Sequence, residues 1–229
     1  MNTNINQRPP DPFGDDEDIL DIQCRPAVPV DLPQIAFLGA SLLDRVFNPV
    51  VGHQGQKAVE LALAALKARI RFDCTWVMHE GETVIGILDI ETLETRRLNG
   101  FPLARSLANS LGITEKVENA GLLPLLLYEP APDEAYQALV ALMPGSRGEG
   151  RGPLLLMHGN FWARAQGKDW MTTWLPANDA FIPVYKKRGY FVEMEVDTKT
   201  RETDKWLLLK RPISPKAHKA MRIAEKSGK

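Results

Sequence analysis

The chain has little cysteine, almost no net charge and no long apolar run, and each shortage excludes something. Two cysteines, Cys24 and Cys74, lie far apart in 229 residues. A disulfide framework needs closely spaced pairs in a small secreted chain, so these read as reduced, buried thiols, each in an apparent strand. No Cys/His cluster has metal-ligand spacing, so no metal is expected. Lys+Arg 28 against Asp+Glu 29 leaves a net charge of −1. No overall field therefore draws the chain to nucleic acid or an anionic membrane. No apolar run approaches the roughly 20 residues of a membrane span. The N-terminus shows no basic-then-apolar signal pattern, so the cytoplasm is the expected location. What is present, 44% hydrophobic and 25% charged residues, is enough to bury one good core.

Residues 1 to about 20 carry Pro9, Pro10, Pro12 and the acidic run Asp15-Asp16-Glu17-Asp18. Too little there is apolar to offset the entropy of ordering, so a flexible tail is expected. The stretch after Pro212, with Lys216, Lys219, Arg222, Lys226 and Lys229, is expected as a basic tail, loosely helical or disordered. Between them, Ile22 to Arg25 reads as a strand. Asp31 can cap a helix running to about Phe47, with Ile35, Leu38, Leu42 and Leu43 on its apolar side. A second helix spans about Gln54 to Arg71. Cys74 to His79 and Thr83 to Glu91 form a hairpin about a short turn holding Gly81.

The most informative segment is Arg147-Gly148-Glu149-Gly150-Arg151-Gly152, followed by Pro153 and three leucines. An apolar strand, Ala135 to Met143, closed by Pro144, precedes it, and a helix led by Pro153 follows. Free N–H groups at a helix start favour an anion, glycine lets backbone approach it, and Arg147 and Arg151 are either added positive charge or solvated. The pattern suits a phosphate or pyrophosphate. It is no Walker loop, since no Gly-Lys-Ser/Thr follows, and it lacks the acidic strand end of a dinucleotide fold.

Downstream come the apolar stretch Trp170 to Leu175, then Asn178, then Tyr185 seven residues on, then Gly189-Tyr190. Here the chain resembles the GCN5-related N-acetyltransferase superfamily. Arg147, Gly150 and Gly152 stand in its Arg/Gln-x-x-Gly-x-Gly/Ala signature. Asn178, Tyr185, Gly189 and Tyr190 stand in its second signature, in the right order. The resemblance spans roughly residues 21 to 211. It implies an α/β fold: a mixed, mostly antiparallel sheet of about seven strands, helices on both faces, and a V-shaped splay between the fourth and fifth strands. It departs from the family at residues 92–133, an insertion expected to shape the acceptor pocket, or to serve as extra core or a homodimer contact.

The resemblance also implies acyl transfer from acetyl-CoA or another acyl-CoA. The acceptor is expected to be a primary amine of a small molecule, or else a protein; an inactive coenzyme-binding module is the third reading. Backbone N–H groups from Gly148, Glu149, Gly150, Arg151 and Gly152 would hold the pyrophosphate. A backbone N–H near Leu142 or Met143 would face the oxyanion. Tyr185 would protonate the leaving thiolate, since a tyrosine keeps its proton at neutral pH. Asn178 is either a helix N-cap or a partner of the pantetheine arm, and Pro183 is expected to distort the short helix it enters. The sequence names no base: Glu134, Tyr136 and Glu91 are candidates beside a water chain, while His79, read in a turn, and His158 read as structural.

Overall fold

The structure is a computed structural model that describes residues 22–39, 71–100, 105, 109, 124, 127–148, 150–198 and 205–226. Its strands are β1 (Ile22–Pro26), β2 (Thr75–Glu80), β3 (Thr83–Glu91), β4 (Glu134–Leu142), β5 (Trp170–Pro176), β6 (Phe191–Asp197) and β7 (Lys205–Pro212). Its longer helices are α1 (32–39), α2 (Arg151–Ala165), α3 (Ile182–Lys187) and α4 (Pro215–Lys226), with short helical turns at Leu93–Thr95 and Arg96–Gly100. The expected acidic tail and the helix Gln54 to Arg71 lie outside the described residues, Arg71 aside. Between residues 101 and 126, Arg105, Asn109 and Pro124 are described, and each is helical.

One sheet of seven strands runs β1-β2-β3-β4-β5-β7-β6, with β4–β5 its parallel pair. Both faces are covered because alternate strand residues bury on opposite sides. Ile35 and Leu38 of α1 pack with Val77, Val84 and Ile87 on one face. Leu155, Leu156 and Ala163 of α2 join Leu88, Ile90, Met171 and Leu209 on the other. The α2 axis comes close to β3 because Gly159 has no side chain: a Cβ there would lie 2.5 Å from Ile90 Cδ1 and 2.8 Å from Leu88 Cδ2.

Two irregularities shape the centre. β4 and β5 pair only from Glu134↔Trp170 to Tyr136↔Thr172, after which they part. In β4 the register against β3 slips between Leu139↔Asp89 and Gln137↔Ile90, leaving Ala138 as an extra, bulged residue. Ala135 therefore faces α2, while Leu139, an even number of residues on but past the bulge, packs toward α1 and leaves Val140 and Leu142 on the α2 side.

Local details correct several expectations. Asp31 is not a forward cap: it closes a turn at Pro29–Asp31, accepting the Val28 N–H at 2.8 Å and both guanidinium nitrogens of Arg25. His79 lies in β2 rather than in a turn. The described residues after Pro212 lead into helix α4, which is anchored at its start. Ile213 is fully buried, its N–H reaches Asp169 O at 2.8 Å, and Lys216 Nζ reaches the Asp169 carboxylate at 2.8 Å. Both cysteines are free thiols; Cys74 is buried and Cys24 half-buried. No described helix is long and apolar enough to cross a membrane.

Candidate active site

The chain leaves β4 through the turn Pro144–Ser146 and enters the glycine loop, where Gly148 and Gly150 take φ of 96° and 75°. Helix α2 starts at Arg151 with Gly150 as its cap, so Pro153 is its third residue rather than its first. Proline still fits there, because the first turn has no internal acceptors for its N–H groups. Among the described residues, nothing accepts the N–H of Gly148, Gly150 or Gly152, and a Cβ on Gly150 would meet open space. Arg147 is exposed at the loop. Arg151 is buried and turned back to Glu80 of β2 at 3.4 Å, so its side chain is a loop anchor rather than added charge for an anion. Glu149 lies outside the described residues.

The parting of β4 from β5 leaves a gap whose edge can be read from the pairing. Antiparallel residues alternate between pairs that exchange backbone bonds and pairs that do not. Met143 N–H donates to Ile85 O at 2.8 Å, so that pair is bonded, and Gly86↔Leu142 and Leu88↔Val140 are not. The N–H and C=O groups of Leu142 and Val140 thus turn from β3 toward the gap. Met143 is excluded as a donor there, because its N–H is spent on β3; Val140 takes its place beside Leu142. An apolar strand gives no sign of which edge groups are unpaired, which is why Val140 was missed.

At the floor of the gap, one residue past the last β4–β5 pair, sits Gln137, only 2% exposed. Thr173 Oγ1 donates to its backbone carbonyl at 3.2 Å, a side chain standing in where the strand ladder has ended. Tyr190 O–H donates to its Oε1 at 3.2 Å. Its Nε2 is buried without a partner. Tyr190 is brought there by the end of α3. Gly189, at φ 83°, lets the chain reverse so that Tyr190 N–H reaches Tyr185 O at 3.2 Å.

Tyr185 and Tyr190 meet edge to face, 4.9 Å between centroids, both buried. The Tyr185 phenol is pushed well above its ordinary range, first by burial and then by Tyr190 and Asp179; no hydrogen bond to its hydroxyl contributes. Pro183 is the second residue of α3, where it removes no helical bond and distorts nothing. Asn178 is exposed and is not the cap: Phe181 holds that position without a side-chain cap bond, its own N–H donating to Asp179 Oδ1 at 2.7 Å.

The opposite face of the gap is aromatic and charged. Tyr128 packs 5.1 Å from Tyr136 and 6.1 Å from Trp174, and Trp206 follows on the same face of β7. The indole N–H groups of Trp174 and Trp206 are buried without acceptors. Glu134, expected among the bases, is a held carboxylate. It takes Lys210 Nζ at 2.8 Å, Tyr128 O–H at 2.8 Å and Ala131 N–H at 2.9 Å. Burial works to raise its pKa, but Lys210 and the other donors win and lower it, which makes a poor base. Glu91 is bound to buried Arg96 at 2.7 Å, and Arg96 Nε also reaches Tyr128 O, fastening the two described stems of residues 92–133 together. Asp89 is pushed up to about 7, mainly by burial and then by Glu91. Tyr136, under the Arg96 guanidinium at 4.9 Å, is pushed up to about 12 by burial and is also a poor base.

No family model matches the chain, and no curated protein matches it significantly. Solved structures do. An N-acetyltransferase from Staphylococcus aureus Mu50 shares 19% identity at a TM-score of 0.61, covering 82% of this chain and 99% of that one. Salmonella typhimurium yncA, solved with its cofactor acetyl-CoA, shares 14% at 0.54, covering 85% and 95%. A GNAT-family acetyltransferase from Streptococcus pneumoniae shares 16% at 0.50, covering 85% and 100%. The seven-stranded mixed sheet, parted after the third β4–β5 pair, matches them along nearly their whole length, and the chain has the GCN5-related N-acetyltransferase fold.

Proposed function

We propose that the protein is an acyl-CoA-dependent N-acyltransferase, passing acetyl or another acyl group to a primary amine of a small molecule. The observation that carries this is the continuity of unpaired backbone groups. The exposed edge of β4 at Val140 and Leu142 runs into the loop N–H groups of Gly148, Gly150 and Gly152. Such an array fits a pantetheine arm, whose amides pair like a strand, ending in a pyrophosphate at a helix start. The acetyl-CoA described with yncA supports the same donor.

When bound, acyl-CoA supplies a thioester carbonyl open to amine attack. The Val140 N–H, nearer to Gln137 than Leu142 is, would face charge growing on its oxygen, with Leu142 left to pair with the arm. Tyr185, with its proton held by burial, would give it to the departing sulfur. The aromatic face, with two buried indole N–H groups lacking acceptors among the described residues, favours a small acceptor over a protein chain.

Calorimetry with coenzyme A and acetyl-CoA tests the reading, followed by thiol release over a panel of amines. Gly150→Asp forces a side chain into positive φ and sets a carboxylate at the anion site. It should weaken coenzyme A by on the order of a hundredfold. Unchanged affinity in a folded Gly150→Asp protein would falsify the loop assignment. Binding without thiol release from any amine would leave a coenzyme-binding module.

A further inference from the structure

Gln137 is the polar side chain that the fold leaves half-used at the floor of the gap. Its surroundings fix it from three sides. Tyr190 O–H holds Oε1, Thr173 holds the backbone carbonyl, and the bulge at Ala138 follows directly. Tyr190 is itself held by the Tyr185 ring and by the Arg211 guanidinium, 5.4 Å above its face. With Oε1 held by Tyr190, the other end of the amide is its NH2, which donates to nothing among the described residues. A buried donor left without an acceptor costs stability, and the Oε1 end alone would serve Tyr190. A position that keeps the cost has a use for the donor.

Between Gln137 and Leu142 lie roughly 17 Å of strand at the usual rise per residue, a length that an extended pantetheine arm can cover. With its phosphates at the glycine loop, the coenzyme would bring its acyl end to Gln137. We propose that Gln137 Nε2 donates to an oxygen of the acyl group, making Gln137 the residue that selects the acyl donor. The oxygen is the thioester carbonyl or one borne further along the acyl chain. The inference rests on the coenzyme reading above.

The test is calorimetric and needs no acceptor. The full chain and Gln137→Met, an unbranched near-isostere, are titrated with S-ethyl-CoA, acetyl-CoA and 3-hydroxybutanoyl-CoA. S-ethyl-CoA has no acyl oxygen, acetyl-CoA has the carbonyl alone, and the third adds a hydroxyl. In the native protein at least one oxygen-bearing thioester should bind better than S-ethyl-CoA. In Gln137→Met that preference should shrink by about tenfold, the ratio set by one recovered hydrogen bond. Which thioester loses affinity tells which oxygen is read. Melting should change little in the variant, since the orphan Nε2 goes but the Tyr190 O–H loses its acceptor; Gln137→Leu serves if Met packs poorly. Equal preferences in native and variant proteins overturn the proposal. If S-ethyl-CoA and the thioesters all fail to bind the native protein, the coenzyme reading itself falls and takes the inference with it.

Discussion

On the α2 side of the β4–β5 gap the polar groups are neutral, Gln137, Tyr185, Tyr190 and the Thr173 hydroxyl, apart from the Arg211 guanidinium against Tyr190. On the other side they are charged and already paired, Glu134 with Lys210 and Glu91 with Arg96. Burial treats the two sets differently. It keeps a phenol protonated and a carboxamide ready to donate at modest cost, whereas a buried carboxylate persists only with a cation against it. The neutral side is thus prepared to give protons and hydrogen bonds. The charged side has spent its carboxylates on its own lysine and arginine.

The widest separation of the two sides comes from Tyr185→Phe. The ring stays in its edge-to-face contact with Tyr190, so coenzyme affinity and melting should barely move. Turnover should fall by roughly 10²- to 10⁴-fold, because the phenol is needed only as charge leaves on sulfur. A Phe variant with full turnover reduces Tyr185 to packing and erases the functional half of the contrast.

Glu134→Gln probes the other side. Lys210 keeps a second carboxylate, Glu193, at 3.3 Å, so the cost should be about 1–3 kcal/mol of stability rather than collapse. That stability is present above the ordinary carboxylate range and disappears as pH drops through the lowered pKa of Glu134. Turnover at a temperature where the variant is folded should change by no more than a few-fold. A hundredfold loss would instead restore Glu134 as the base.

Much of this arrangement could be read from residue order, and the failures have a common cause. The hairpin of Cys74 to His79 with Thr83 to Glu91 and the loop-to-helix passage at Gly150 are marked by local punctuation, glycine at turns and alternation in strands. What escaped depends on distant partners. Arg151 in a glycine loop looks like an anion ligand, but its guanidinium is taken by Glu80 on β2. The lysines after Pro212 look like a tail until Asp169 is seen to receive one of them. The bulge at Ala138 is hidden for another reason. An unbroken apolar run has no phase, so nothing along Ala138 to Met143 shows where the strand changes face. The polar residue just before that run, Gln137, is the available signal.

Asp89 offers the smallest and sharpest test of the charged side. Its carboxyl is pushed up to about 7, chiefly by burial and then by Glu91 and Asp73, while Thr75 O–H and Arg96 pull it down. With the folded value raised above the unfolded one, the native state holds the extra proton. Its contribution to stability is complete below the unfolded value and is lost as pH rises through about 7. The native protein should therefore melt a few degrees lower at pH 8 than at pH 5, a loss of about 1–2 kcal/mol once the pairing with Arg96 is allowed for. Asp89→Asn keeps an oxygen for the Thr75 hydroxyl, now 2.9 Å away, and cannot ionise. Its melting temperature should change less over the same interval and exceed the native value at pH 8. Parallel curves for the two proteins would mean that Asp89 titrates in the ordinary carboxylate range. The charged side of the gap would then hold no group poised to accept a proton near neutral pH.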